Sequence, residues 1–301
     1  MGEPADRPYV TTPPQWPTLE PDEPRWPQRP QQYQQQGAYY DPHPYYQPPV
    51  PRPPSPIEQR PKHKWGFGAF LLAEAVFLLT SLLVPLVGIL PYLLSDPDGF
   101  GDDGPLPAPV LVAALTIPPL LAAAVGLVAT KVRGNGPVID LRLKFGWRDV
   151  GVGMACGIGG VLLTVPLGLL WIYLVGEENA NSAVGEVFDG MQMPVVLAVI
   201  VFLQVWLVAP ICEEILYRGL LWGAMERREW NRWLVLGLTT FAFALAHLEP
   251  VRAPLLLAIG LPIGLARMWS GKLAAPVIAH QINNFLPALM LMLLLLGKPI
   301  G

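Results

Sequence analysis

From residue 65 onward the chain is a succession of long apolar runs separated by short polar breaks. Seven runs stand out, at about 66–94, 107–130, 149–175, 194–218, 233–249, 253–270 and 273–297. About 20 consecutive apolar residues span the hydrocarbon core of a bilayer as a helix. The pattern predicts an all-α fold, a polytopic membrane bundle of about seven transmembrane helices. The fifth and sixth runs read as short or tilted, with Pro250 and Pro254 at the turn between them.

The first 63 residues follow a different rule. They hold 18 of the 36 prolines, interspersed with Gln and Tyr, and show no apolar periodicity. Such a segment cannot bury enough surface to offset the entropy of ordering. The domain reading is therefore a disordered Pro/Gln/Tyr-rich cytoplasmic tail over 1–63, followed by the transmembrane bundle over 64–301. Arg52-Pro53-Pro54-Ser55-Pro56 makes a cytoplasmic, proline-reading partner of the tail conceivable.

Charge then orients the bundle. Only 14% of residues are charged, against about 25% in soluble domains. Lys131, Arg133, Arg142, Lys144 and Arg148 fall in one break, and Arg227, Arg228 and Arg232 in another. Asp96, Asp98, Asp102 and Asp103 fall in a third, and Glu177, Glu178, Glu186 and Asp189 in a fourth. By the positive-inside tendency this predicts a multi-pass protein of the plasma membrane with its amino terminus in the cytoplasm. The bilayer is then its main partner, and nothing points to nucleic acid. Cys156 and Cys212 lie inside spans and form no disulfide or Cys-x-x-Cys pattern.

Candidate chemistry lies where polar groups interrupt the apolar runs. Ionisable residues inside a membrane are costly and mark function by default. Glu213, Glu214 and Arg218 close the fourth run. Glu214 and Arg218 stand at i,i+4 and can pair on one helical face, which leaves Glu213 free as an acid or base. Pro210 lacks an N–H, so a bend is expected there, freeing the carbonyl of Trp206. Phe243 and His247 are i,i+4 in the fifth run, and His280 and Asn284 are i,i+4 in the seventh. Glu74 stands alone in the first. A shared polar cavity with Glu213, His247, His280 and Asn284 would suit hydrolysis by an activated water. Glu213, His247 and His280 are also donors of the kind zinc takes. Gly99-Phe100-Gly101-Asp102 reads as a solvated turn.

The ordered set Glu213-Glu214-x-x-x-Arg218, Phe243-x-x-x-His247 and His280-x-x-x-Asn284 resembles the three motifs of the CPBP intramembrane proteases. These are the CAAX-protease and bacteriocin-processing (Abi) enzymes, which include the type II prenyl-protein endopeptidases. The resemblance covers about residues 195–291. It implies an endopeptidase that cuts a hydrophobic or lipid-anchored, CAAX-like peptide by a glutamate-activated water, with no obligatory cofactor. Glu213 would activate the water, His247 would position it, and His280 and Asn284 would form the oxyanion site. Glu214, Arg218 and Phe243 would support the site. The alternative is a non-catalytic membrane immunity or scaffold protein that binds a partner through the same cavity.

Two geometric expectations accompany this reading. Glu213 and His280 fall near the predicted cytoplasmic ends of their runs, so the cavity is expected to open to the cytoplasm. His247 then lies too deep to meet them unless residues 223–236 form an interfacial helix, the favoured reading, or the helices that carry the motifs tilt.

Overall fold

The computed structural model of the chain describes residues 64–95 and 106–298, apart from the side chains of Glu177 and Glu178. The tail, the acidic break at 96–103 and the Gly-x-Gly-Asp turn lie outside the described residues. All described residues belong to one unit, Pro56–Gly301, and they contain helices and turns but no strand.

Seven long helices match the seven apolar runs. They are α1 (Phe67–Ser95), α2 (Ala108–Arg133), α3 (Trp147–Val175), α4 (Val195–Glu226), α5 (Arg232–Ala246), α6 (Ala253–Ser270) and α7 (Ala274–Leu295). Six are long and apolar enough to cross a membrane. The exception is α5, which has 15 residues. At about 1.5 Å per residue it reaches roughly 22 Å, short of the roughly 30 Å core. The chain is a multi-pass membrane protein whose described residues hold six helices of spanning length and one shorter helix, in keeping with the short fifth run. Large apolar side chains remain exposed along α1 and α3, such as Leu82, Leu86, Leu162 and Leu169, as expected where lipid is the solvent.

The central element, α4, packs against α1, α2, α5 and α7. Its two lower turns carry the main buried cluster, with Ile215, Leu216, Leu220, Leu221 and Trp222 against Phe70, Ala122 and Val235. On the far flank α3 lies against α6 and α7. Glycine sets that approach. A Cβ on Gly153 would lie 2.7 Å from the Ala275 carbonyl oxygen, and one on Gly157 would lie 3.0 Å from the Ala279 Cα. Small residues at helical spacing let membrane helices come this close.

Basic residues gather at one end of the bundle, held by specific contacts. Arg142 and Arg267 both pair with Glu226, at 3.0 and 3.7 Å. Lys272 reaches the buried Asp149 at 2.8 Å. Arg227 stacks on Trp65, whose indole N–H donates to Asp140 at 2.7 Å. The last helical turns of α4 are part of this end. Residues 223–226 continue α4, and the chain turns only at 227–231. The expected interfacial helix over 223–236 is therefore absent, because Trp222, Gly223, Ala224 and Met225 are buried in the core instead of lying on a membrane surface.

This correction removes the depth conflict. Counted from Glu226, Glu213 lies roughly 20 Å along α4, and His247 lies a similar 22 Å or so beyond Arg232. The two side chains therefore reach a common level from a shared turn.

Candidate active site

The site is built on irregular turns of α4. Residues Gln204–Val208 and Ile215–Leu221 are π-helical, and the regular segment Ala209–Glu214 between them carries the acidic pair. Such π turns within α-helices are rare and recur at functional sites. Proline accounts for part of the first one. In this segment each N–H bonds five residues back, as Ala209 does to Gln204. The next N–H in the series belongs to residue 210, which is Pro and has none. The carbonyl left without its donor is that of Val205, not Trp206 as expected from regular helix spacing. Asn284 from α7 supplies the replacement, its Nδ2 donating to the Val205 oxygen at 3.2 Å.

Glu214 is completely buried, as is Arg218. Arg218 Nη1 donates to Glu214 Oε1 at 2.9 Å, its Nη2 donates to the Gly260 carbonyl at 3.1 Å, and its guanidinium lies over the Phe243 ring at 4.8 Å. The i,i+4 pair expected from the sequence is thus present. Glu214 does a second task, since its Oε1 also lies 2.9 Å from His280 Nδ1. An ionised carboxylate only accepts, so Nδ1 carries a hydrogen and Nε2 faces the opposite way. That nitrogen lies 3.7 Å from Glu213 Oε2.

Glu213 is left without a cation. Its side chain is 27% exposed and opens into a cavity of about 410 Å³. His247 and Asn284 line the same cavity. The His247 Nδ1 lies 2.8 Å from the Phe243 carbonyl, which can only accept, so the neutral ring offers Nε2 as an acceptor. Leu248 follows with φ 55°, a left-handed conformation that is strained for a branched residue and ends α5 beside the imidazole. The Phe243 ring meets the His247 ring at 4.7 Å, the His280 ring at 5.6 Å and the Tyr217 ring at 5.6 Å between centroids. It is the common wall against which both imidazoles are set.

All four candidate groups therefore converge: Glu213, His247 and Asn284 line the cavity, and His280 adjoins Glu213. Two further groups were not anticipated as part of it. Glu74 of α1 and Tyr217 of α4 line the cavity. The signal in the sequence was a lone acid in an apolar run; its placement depends on α1 packing against the second π turn.

The cavity does not open where expected. Its lining extends from Glu213 and Asn284 to Ala183, Val184, Leu248 and Glu249, toward the end of the bundle opposite the basic cluster. The expectation of a mouth at the basic end rested on α4 ending near Arg218. Two more turns of α4 put Glu213 at mid-bundle. Among the described residues no three His, Cys, Asp or Glu side chains come together as a metal-binding group. Cys156 and Cys212 are buried free thiols.

Fold and site together define a multi-pass membrane protein with a carboxylate 3.7 Å from an oriented imidazole at mid-bundle. Residues 195–286 match the model of a family described as type II CAAX prenyl endopeptidase Rce1-like. The match begins where the sequence resemblance begins and ends five residues before it. The chain is also similar to an uncharacterised 24.3 kDa protein of Escherichia coli, with 29% identity over 44% of this chain and 61% of that protein. It thus spans about three fifths of the length of that relative. No solved structure matches.

Proposed function

We propose that the protein is an intramembrane endopeptidase that hydrolyses a hydrophobic or lipid-anchored peptide by a glutamate-activated water. The observation that carries this reading is the uncompensated Glu213 carboxylate, open to a cavity and facing an imidazole whose far nitrogen is held by Glu214. The family match over 195–286 supports a CAAX-type protease in general.

In this mechanism a water gives one hydrogen bond to Glu213 and one to His247 Nε2. Glu213 takes a proton as the water oxygen bonds to the peptide carbonyl carbon. The resulting oxyanion is met by the Asn284 N–H that Val205 leaves unused. His280, held through Nδ1 by Glu214, places Nε2 beside the same centre. The C–N bond then breaks, and the proton on Glu213 passes to the leaving amine. Each group acts from a fixed position, which is how preorganised donors lower a barrier. The basic cluster at one end of the bundle supports a plasma-membrane orientation with that end in the cytoplasm.

The test is comparative proteomics of membrane peptides from cells carrying wild type or Glu213→Gln. The wild type should yield cleavage products absent from the variant, with both proteins inserted at equal levels. Full complementation by a Glu213→Ala, His280→Ala double variant would refute the hydrolytic reading and support a non-catalytic immunity or scaffold role.

A further inference from the structure

A second cavity, of about 720 Å³, lies between the start of α1 and the end of α2, away from Glu213. Its long walls are apolar, with Leu72 and Val76 from α1 and Leu121, Val125 and Val128 from α2. Gly68 also lines it, and a Cβ on Gly68 would meet nothing within 4 Å. From Leu121 to Arg133 the groove follows α2 for roughly 18 Å. One leaflet of a roughly 30 Å hydrocarbon core has a similar depth.

The chemistry changes at the basic end of the bundle, where Lys64, Trp65 and Arg133 complete the lining. The Lys64 N–H donates to the Arg133 carbonyl at 2.9 Å, so the two cationic residues are joined across the helix ends. Both are exposed, and among the described residues neither is ion-paired. The acids nearby have other partners. Asp140 accepts from the Trp65 indole and the Asn135 N–H, Glu226 pairs with Arg142 and Arg267, and Asp149 pairs with Lys272. Trp147, Trp230, Trp233 and Trp269 are exposed at this same end, as tryptophans are where a bilayer meets water.

Two uncompensated cations at headgroup level above an apolar slot one leaflet deep match one kind of molecule. A neutral lipid leaves the cations unused, and a free phosphate leaves the slot unused. We propose that the groove binds one anionic phospholipid from the leaflet on the basic side. Its phosphate meets Lys64 and Arg133, and an acyl chain lies along the walls of α1 and α2. Basic pockets between membrane helices recognise anionic headgroups in this way. The site is separate from the candidate active site and does not depend on the hydrolytic reading.

The probe is the purified full chain in mixed micelles with equal amounts of phosphatidylglycerol and phosphatidylcholine, read by native mass spectrometry. One phosphatidylglycerol should be retained per chain. Each cation near the surface favours an anionic headgroup by about fivefold, so wild type should prefer phosphatidylglycerol by at least roughly tenfold. In Lys64→Gln with Arg133→Gln the preference should fall to within about twofold of unity. In Gly68→Leu, which fills the slot and keeps both cations, retention of either lipid should drop at least about fivefold. Gly66→Leu also enters open space and serves should Gly68→Leu fail to fold.

A wild type that retains no phospholipid, or retains both equally, would overturn the proposal. So would a charge-removed variant with an undiminished preference, or a filled groove that holds as much lipid as before. A lipid-free dimer in the same micelles would assign the groove to a second copy of the chain instead.

Discussion

Replacing Glu214 by Gln tests the buried network most directly. Glu214 Oε1 serves both Arg218 and His280, and all three side chains are almost wholly shielded. In Glu214→Gln, Arg218 loses its counter-ion and is left with neutral partners, an amide oxygen, the Gly260 carbonyl and the Phe243 face. A buried charge deprived of its counter-ion costs roughly 3–5 kcal/mol. At about 1.4 kcal/mol per tenfold, the folded-to-unfolded ratio should fall by about two to three and a half orders of magnitude. A double variant, Glu214→Leu with Arg218→Met, removes both charges. Replacing a buried pair by apolar groups is often neutral, so what remains is the unpaired His280 N–H, about 1–3 kcal/mol. The double variant should be more stable than the single one yet equally inactive, since nothing then orients His280. Unfolding in mixed micelles by a denaturing-detergent titration gives the stabilities, and peptide hydrolysis gives the activity. A double variant no more stable than Glu214→Gln would refute the electrostatic account. A double variant with wild-type hydrolysis would refute the orienting role.

Further outcomes follow from other contacts. Asn284→Leu should leave the Val205 carbonyl without a donor, costing about 1–3 kcal/mol, and should lower kcat at least tenfold as the oxyanion donor is lost; steady-state kinetics alongside the detergent titration checks both. Gly153→Val should force α3 away from the Ala275 backbone and cost at least the roughly 1–3 kcal/mol of core overpacking, measured by the same titration. Extensive dialysis against a strong chelator should leave hydrolysis within twofold of the untreated protein. Loss of activity restored by zinc would revive the metal reading.

Much of the fold was legible because lipid imposes a simple code. Each span must be long and apolar, and the seven helix boundaries fall within a few residues of the runs, α4 excepted. The Glu214–Arg218 contact was legible too, since i,i+4 spacing places both on one face. Three things were hidden for physical reasons. Hydropathy does not reveal which turn carries an extra residue, so the π turns and the Val205–Asn284 bond were invisible. Glu226, Arg227 and Arg228 looked like a membrane-surface segment because their charges resemble one; their neighbours Trp222 to Met225 are instead buried, and Glu226 is claimed by two arginines. Glu74 lies 139 residues before Glu213 in the chain, and only the packing of α1 brings it to the cavity.

The brevity of α5 has a mechanical corollary for the surrounding lipid. A helix of 15 residues cannot carry its last carbonyls to the headgroups unless the bilayer yields, and a hydrophobic shortfall of this kind is met by local thinning. Above His247 the acyl layer should therefore dimple toward the protein, bringing interfacial water closer to the mid-plane. A peptide entering from that side would cross less oil than one approaching any other flank, so the membrane's own deformation becomes part of the entry route.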